Sequence, residues 1–313
     1  MTGDYGSATD RAPADDEPGL REALEGGPAP ARRDAALALA SAAESGVADA
    51  TTDGGGLAPA TVDALAARVR EDSSSDVRQF AVEALGVAGE RVDPIRDALA
   101  DDDEWVRAEA VVAHSRVAPG DVDVLRDVLA SDDSGWVRRN AVVALGKAGG
   151  ASHADLVECI KTDPHPAVRE YAAQFLADVV DDVEEAERVL AAVLAREANA
   201  FVRAKAAESL GELGTDRAET ALEEYGVTDQ SEDVVRTATR ALADARGVDP
   251  DALDVDANLD DPAEGAPGTG PDAPDERALE LGTRTGGEPT AGPGGAPGFD
   301  PREHLDADLD DRN

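Results

Sequence analysis

The chain has 313 residues, and its 68 acidic side chains outnumber 29 basic ones to give a formal net charge of −39 at pH 7. Such a balance argues against nucleic-acid binding, which needs clustered Lys and Arg to neutralise phosphates. The single cysteine, Cys159, excludes an internal disulfide framework and a Cys-based metal cluster. No apolar run approaches the length of a membrane span, and the first residues lack the features of a secretory signal. We therefore expect a cytoplasmic protein that binds neither nucleic acid nor a membrane.

The acidity is accompanied by an unusual choice of other residues. Only three lysines are present, so 26 of the 29 basic residues are arginine. Abundant Asp, scarce Lys and small apolar side chains resemble the composition of proteins from extreme halophiles. Molar salt shortens the Debye length to about 3 Å and screens self-repulsion within an acidic chain. We therefore expect the thermal unfolding midpoint to rise steeply between about 0.1 and 2 M KCl. A midpoint that stays flat over that range would contradict this expectation.

Composition divides the chain into three parts. Residues 1–30 and 248–313 carry net charges of −5 and −14, are rich in Gly and Pro, and contain few large apolar side chains. Segments of low hydrophobicity and high net charge cannot offset the entropy lost on ordering. Both are therefore predicted to be mostly disordered acidic tails. Residues 31–247 carry the remaining net charge of −20 and are predicted to contain the fold.

The middle of the chain repeats itself. Each clear copy has a valine and an alanine four positions later, and five of the six have a second small residue three positions further on, often followed by leucine. A weaker copy begins at Ala31 and is separated from the others by an insertion containing Gly54-Gly55-Gly56. The valines of the six clear copies lie 29, 31, 31, 34 and 32 residues apart, at Val77, Val106, Val137, Val168, Val202 and Val234.

These offsets place the small and apolar side chains on one face of a helix. Upstream of most valines, a second apolar pair occurs at helical spacing, such as Leu125 and Leu129 before Val137. Each period is therefore predicted to be two antiparallel helices joined by a short turn. The sequence predicts an all-α protein, an α-solenoid of about six to seven two-helix repeats over residues 31–247 that are clearest over 58–247, with disordered acidic tails at both ends.

An acid and an arginine recur around each predicted turn. The acid lies five residues before the valine, and an arginine follows the valine in five of the six clear copies. The acid can accept backbone N–H groups at the start of the second helix, and the arginine can reach that acid or its counterpart in the next repeat. We interpret these residues as a structural ladder rather than an anion-binding row. The ladder comprises Asp72, Arg78, Asp101, Arg107, Asp132, Arg138, Asp163, Arg169, Glu197 and Arg203.

The pattern V-R-x-x-A-x-x-A-L-G with a turn acid, seen from Val77 to Gly86, resembles the HEAT-like repeats of the bilin-lyase (PBS lyase) type. The resemblance extends over roughly residues 58–247, or from residue 18 if the weaker first copy is included. It implies a right-handed α-solenoid with a curved surface for partners, and it implies no single function. Ankyrin and tetratricopeptide repeats have similar lengths, but their landmark residues are missing here.

The sequence offers few residues for catalysis. Deoxyhypusine hydroxylase resembles this repeat type and holds two irons with His-Glu pairs, but none of the four histidines here (His114, His153, His165 and His304) is followed by Glu. His114 occupies a predicted core position, and Cys159 is interpreted as a small buried side chain. Phosphate-binding loops, nucleophile elbows and CxxC motifs are missing from the sequence. We therefore expect no catalytic residue, no metal and no cofactor.

Two sets of side chains are candidates for binding a partner. The first consists of aromatic residues that precede the repeat valines, namely Trp105, Trp136 and Phe201. They either pack each helix start against its neighbour or form a partly exposed row at one rim of the solenoid. The second set lies three and six positions after the valine, on the predicted outward face of the second helices. Its members are Phe80, Asn140, Tyr171 and Gln174, flanked by Glu83 and Glu109.

Three functions are compatible with these features. The preferred hypothesis is a noncatalytic scaffold or adaptor that binds an unidentified protein partner on the concave face of residues 77–210. The alternative is an enzyme or enzyme accessory subunit of the bilin-lyase or deoxyhypusine-hydroxylase class, which the missing His-Glu motifs disfavour. In a third hypothesis, the acidic C-terminal tail rather than the solenoid contacts the partner.

Overall fold

A computed structural model describes residues 16–44, 56–89, 92–250 and 253. These residues form fourteen α-helices, and none of them lies in a β-strand. The all-α repeat fold expected from the sequence is confirmed. None of the helices in this part of the chain combines the length and apolar composition needed to cross a bilayer. Expectations for residues 1–15 and 254–313 lie outside the described residues.

The helices form seven consecutive pairs, each with a first and a second helix. The first helices are α1 (Glu17–Gly26), α3 (Pro59–Glu71), α5 (Val92–Ala98), α7 (Val122–Ser131), α9 (His153–Thr162), α11 (Val183–Arg196) and α13 (Asp216–Ala221). The second helices are α2 (Ala29–Glu44), α4 (Ser75–Ala88), α6 (Glu104–Val117), α8 (Gly135–Lys147), α10 (Pro166–Leu176), α12 (Ala200–Leu213) and α14 (Glu232–Arg246). A 3₁₀ turn at Ala177–Val179 follows α10, and a π-helical turn at Leu222–Gly226 follows α13.

The repeated apolar positions form the core between successive pairs. All six repeat valines and the six alanines four positions later are fully buried. Leucines of the first helices, such as Leu125 and Leu156, are equally inaccessible. Burying one such valine or leucine contributes about 1.5–3 kcal/mol. Each pair can bury its apolar face only against its neighbours, so the core continues along the stack.

Small residues let the second helices pack closely. Each second helix packs along the next one from α2 to α14, whereas neighbouring first helices touch much less. Gly86 of α4 lies so close to α6 that a Cβ atom there would come within 2.6 Å of the Ala113 Cβ atom. Gly211 of α12 faces Ala241 of α14 at the same separation. The second helices therefore form the inner, more tightly curved layer of the solenoid.

The solenoid begins before the predicted domain boundary at residue 31. Residues 1–30 were predicted to be mostly disordered, but α1 occupies Glu17–Gly26 and packs against α2 and α3. The Leu20 and Leu24 side chains are buried in this contact. Two leucines one turn apart are therefore enough to bury one face of α1, despite the acidic composition around them.

Candidate functional site

Each ladder arginine joins two consecutive turns. The Nε and Nη2 atoms of Arg78 donate to the two carboxylate oxygens of Asp101, both at 2.7 Å. The Nη1 atom of Arg78 donates to the backbone carbonyl oxygen of Asp72 at 3.0 Å. The guanidinium thus binds the carboxylate of the next repeat in a bidentate manner and the backbone of its own repeat.

The same arrangement recurs along the stack. Six bidentate pairs link the seven repeats, with nitrogen–oxygen distances between 2.6 and 3.1 Å. Arg32 supplies the partner of Asp72, and Asp229 supplies the partner of Arg203. The pairs are Arg32–Asp72, Arg78–Asp101, Arg107–Asp132, Arg138–Asp163, Arg169–Glu197 and Arg203–Asp229.

The ladder stops at both ends of the stack. In the last repeat, the arginine position is occupied by Val235. In the first repeat, the position of the turn acid is occupied by Gly26, and the Arg32 Nη1 atom donates to the carbonyl oxygen of Gly27 at 2.8 Å. The first turn thus offers no ladder carboxylate, and the last repeat offers no ladder guanidinium.

Each ladder acid also fixes its own turn. The Asp163 carboxylate accepts a hydrogen bond from the backbone N–H of His165 at 2.8 Å, and the other five acids make the equivalent contact. Burial alone would raise the pKa of Asp163, but the hydrogen bonds from Arg138 and His165 and the Arg138 charge hold this pKa below its ordinary value. The charged groups of the ladder therefore bind one another and the backbone of the turns.

Three aromatic residues lie at the N-terminal ends of second helices, on the same rim as the ladder turns. Trp105 is 38% exposed and Phe201 is 52% exposed, whereas Trp136 is half-buried. The side chains of Asp103 and Asn199 accept hydrogen bonds from the backbone N–H groups of Trp105 and Phe201, both at 2.9 Å. These caps fix the helix starts that carry the exposed rings.

Trp136 differs from the other two aromatic residues because its ring packs against the next repeat. The Trp136 and His165 rings meet edge to face, with centroids 4.7 Å apart and planes at 65°. Gly135 permits this contact, because a Cβ atom at that position would overlap the His165 ring. Trp136 therefore packs a helix start against its neighbour, whereas Trp105 and Phe201 leave ring surface open to solvent.

The positions three and six residues after each valine were expected to point outward on the second helices. At the centre of the stack, the side chains at these positions are buried. Asn140 is 0% exposed, its amide nitrogen donates to the carbonyl oxygen of Ala108 at 3.0 Å, and its amide oxygen accepts from Arg139 at 3.0 Å. Val112 and Val143 are buried as well. Asn140 was expected to point outward. This expectation is wrong, because the close packing of the second helices covers the Asn140 side chain.

The other members of that set, Phe80, Tyr171 and Gln174, are partly exposed. The Arg139 guanidinium carbon lies 4.4 Å from the centroid of the Tyr171 ring, and its Nη2 atom donates to the Tyr171 hydroxyl at 2.6 Å. Arg139 is itself buried, and its Nε atom has no partner within the described residues. Helical periodicity did not single out Arg139, because the outward positions were expected three and six residues after the valine and Arg139 lies two residues after it.

Two carboxyl groups expected to flank an exposed face are instead buried between α4 and α6. Glu109 is 1% exposed, Glu83 is also buried, and the two carboxylate oxygens of Glu109 have no hydrogen-bond partner among the described residues. Burial and the Glu83 charge raise the pKa of Glu109 to about 8, although the Arg116 charge acts in the opposite direction. Glu109 is therefore mostly protonated at pH 7.

The side chains with catalytic or metal-binding potential lie apart from one another. His114 is buried at its predicted core position, and no cluster of three His, Cys, Asp or Glu suited to a metal occurs within the described residues. Cys159 borders a groove of about 570 Å³ between α7 and α9. Burial and the nearby acids Asp163 and Asp155 raise the pKa of its thiol to about 12, so this thiol is a poor nucleophile. His304 lies outside the described residues.

The repeat geometry agrees with a comparison against known protein families. A family model for HEAT repeats matches residues 62–146, 112–176 and 153–243. The chain belongs to the HEAT-repeat family. Together the matches cover more than half of its 313 residues, from α3 to α14. A search of curated proteins finds no match for this HEAT-repeat protein.

Several solved structures match this chain at low sequence identity. YibA of Escherichia coli is 19% identical, with 72% of this chain and 91% of that protein covered and a TM-score of 0.49. The complex of CpcE and CpcF of phycocyanin lyase from Nostoc sp. PCC7120 is 21% identical, with 82% and 97% covered and a TM-score of 0.42. A computationally designed armadillo repeat protein is 18% identical, with 72% and 98% covered and a TM-score of 0.34.

Proposed function

We propose that this HEAT-repeat protein is a noncatalytic scaffold that binds a protein partner along the rim formed by the N-terminal ends of its second helices. The observation that carries the proposal is the exposure of Trp105 and Phe201 on that rim. The whole chain has only two Trp, three Tyr and four Phe, so two exposed rings at equivalent repeat positions are a notable use of a scarce residue type. Trp and other aromatic residues are enriched among the side chains that dominate binding energy.

The rim suits this role better than the inner face does. The centre of the inner face is closed over Asn140 and Glu109, whereas the rim is open. The ladder also holds successive turns at fixed separations, because each guanidinium bonds to two of them. Two exposed rings held on capped helix starts lose little conformational entropy when a partner binds. Apolar contact also persists in molar salt, where charge steering is weak.

Replacing Trp105 and Phe201 together by alanine tests the proposal. We expect the double variant to capture its protein partner at least about tenfold more weakly than the native chain, since single hot-spot aromatics typically contribute 2 kcal/mol or more. The measurement is quantitative affinity capture from extracts of the native host in molar KCl, followed by titration of the recovered partner. The unfolding midpoint should fall only modestly, because Trp105 and Phe201 are 38% and 52% exposed.

Tyr225 provides a control for losing a partly exposed aromatic side chain, since it is 37% exposed but belongs to the π-helical turn after α13 rather than to the start of a second helix. Tyr225→Ala should capture the partner normally. Undiminished capture by the Trp105→Ala/Phe201→Ala variant would exclude the rim. If capture is then lost on replacing Phe80 and Tyr171, the partner binds the inner face, and if it is lost on deleting 254–313, the tail makes the contact.

A further inference from the structure

The outer layer of the solenoid contains a groove that is separate from the arginine ladder, the aromatic rim and the inner face. It lies between the first helices α9 and α11 and has a volume of about 430 Å³. Its floor is apolar and includes Ile160, Val189 and Val193, which are buried. The groove thus exposes apolar surface on the side of the stack opposite the second helices.

The edge of this groove carries positive charge. Arg188 and Arg196 of α11 line it and are exposed, and neither forms an ion pair with the described residues. Lys161 of α9 also lines it and binds Glu185 at 3.0 Å. In a chain with more than twice as many acids as bases, and whose ladder arginines are all paired, two exposed unpaired arginines beside an apolar groove point to an acidic, partly apolar occupant.

The arginines also define the length of the occupant. Arg188 and Arg196 are eight residues apart on one helix, which corresponds to about 12 Å along its axis. Two turns of a helical segment have a similar length. A helical segment with two apolar side chains one turn apart could place them on the apolar floor of the groove. Acidic side chains around them would then lie beside the arginines at its edge.

The C-terminal residues 300–311 have this pattern. Asp300-Pro301-Arg302-Glu303 has the acid, proline and glutamate spacing that predicts a helix start. Leu305 and Leu309 follow at helical spacing, four residues apart. The acids of the segment are Asp300, Glu303, Asp306, Asp308, Asp310 and Asp311.

The connection between the two sites is long enough. Leu305 comes 55 residues after Pro250, near the end of the described solenoid. A connection of that length can span up to about 180 Å, whereas two repeats occupy only about 20 Å along the stack. We propose that the groove between α9 and α11 binds residues 300–311 of the same chain, with Leu305 and Leu309 on the apolar floor and the acids beside Arg188 and Arg196.

Hydrogen–deuterium exchange of the full-length chain in 1 M KCl tests this proposal. Replacing Leu305 and Leu309 by serine should speed amide exchange in residues 188–196 about tenfold, as expected if the native groove is about 90% occupied. Leu279→Ser/Leu281→Ser is the matched control, because it removes two leucines from the same C-terminal region and should leave that exchange unchanged. Equal exchange in the native chain and the Leu305→Ser/Leu309→Ser variant would overturn the proposal.

Charge reversal separates a direct contact from an indirect effect. Arg188→Glu/Arg196→Glu should lose the same protection, and adding Asp306→Arg/Asp310→Arg should restore most of it. Failure of the reversed acids to restore protection would contradict the assigned pairing. Protection that depends on protein concentration and accompanies dimers would instead assign the groove to the tail of a second copy, which contradicts the intramolecular proposal. The helical circular dichroism signal of each variant verifies that the solenoid is intact.

Discussion

Replacing Asp163 by alanine is expected to lower the free energy of unfolding by about 3 kcal/mol, because it leaves the mostly buried Arg138 guanidinium without its carboxylate. The variant also loses the hydrogen bond from the His165 backbone N–H. The pKa of Asp163 is held below its ordinary value. Its stabilisation is therefore present above pH 3.8 and disappears as the pH falls through the lower native pKa. Denaturant unfolding at pH 7 measures the loss, and repetition near pH 3 should show a smaller difference between variant and native chain.

Asp133 supplies the control for this prediction, since it is exposed in the neighbouring turn. Its contact with Arg138 uses only the backbone carbonyl oxygen, at 3.1 Å. Asp133→Ala should change the free energy of unfolding by less than about 0.5 kcal/mol. A double-mutant cycle with Arg138→Ala isolates the pair. A coupling energy near zero would show that the ladder does not stabilise the stack.

Replacing Glu109 by glutamine is expected to stabilise the protein in alkaline solution. The pKa of Glu109 is about 8 in the folded chain, against an ordinary value of 4.5. Below pH 4.5 the carboxyl group is protonated in both states. Between pH 4.5 and pH 8, the folded state retains a proton that the unfolded state has released. The free energy of unfolding therefore falls as the pH rises, and this decrease is complete above pH 8. Glutamine removes this loss, which amounts to a gain on the order of 2–4 kcal/mol at pH 9.

Denaturant unfolding of the native chain and Glu109→Gln at several pH values between 5 and 9 measures this effect. The difference between the two should grow with pH and level off near pH 9. Glu208→Gln is the matched control, because Glu208 occupies an exposed position on α12, and its effect should not depend on pH in this range. Parallel stability curves for the native chain and Glu109→Gln would mean that Glu109 is not buried in solution as described.

The fold could be predicted from the sequence because each repeat signals the same arrangement. A valine such as Val137, the small residues after it and the acid before it are all local signals of a helix and its turn. Six copies then remove most of the ambiguity of any one copy. In the first pair, α2 was signalled by the weaker copy from Ala31, but α1 escaped this reasoning, because its buried apolar side chains are just Leu20 and Leu24 and its composition resembles that of the acidic tail.

The inner surface could not be predicted in the same way. Helical periodicity identifies the face of one helix that meets its own partner, but it does not show how closely the next repeat approaches. Asn140 and Glu109 lie outside the main apolar stripe, yet both are buried because Gly and Ala side chains let neighbouring second helices converge. Burial of Arg139 depends on Tyr171 in the following repeat, which is 32 residues away in the chain. Such contacts depend on the curvature of the whole stack.

The two incomplete ends of the ladder have a consequence for self-association. A solenoid whose last repeat carried an arginine and whose first turn carried an acid would present complementary halves at opposite ends, and such ends can join head to tail into an open filament. Here Val235 occupies the donor position at one end, and Gly26 occupies the acceptor position at the other. End-to-end joining through the ladder therefore has no charge pair to form, so an added repeat at either end could not extend the ladder without a change at Val235 or Gly26.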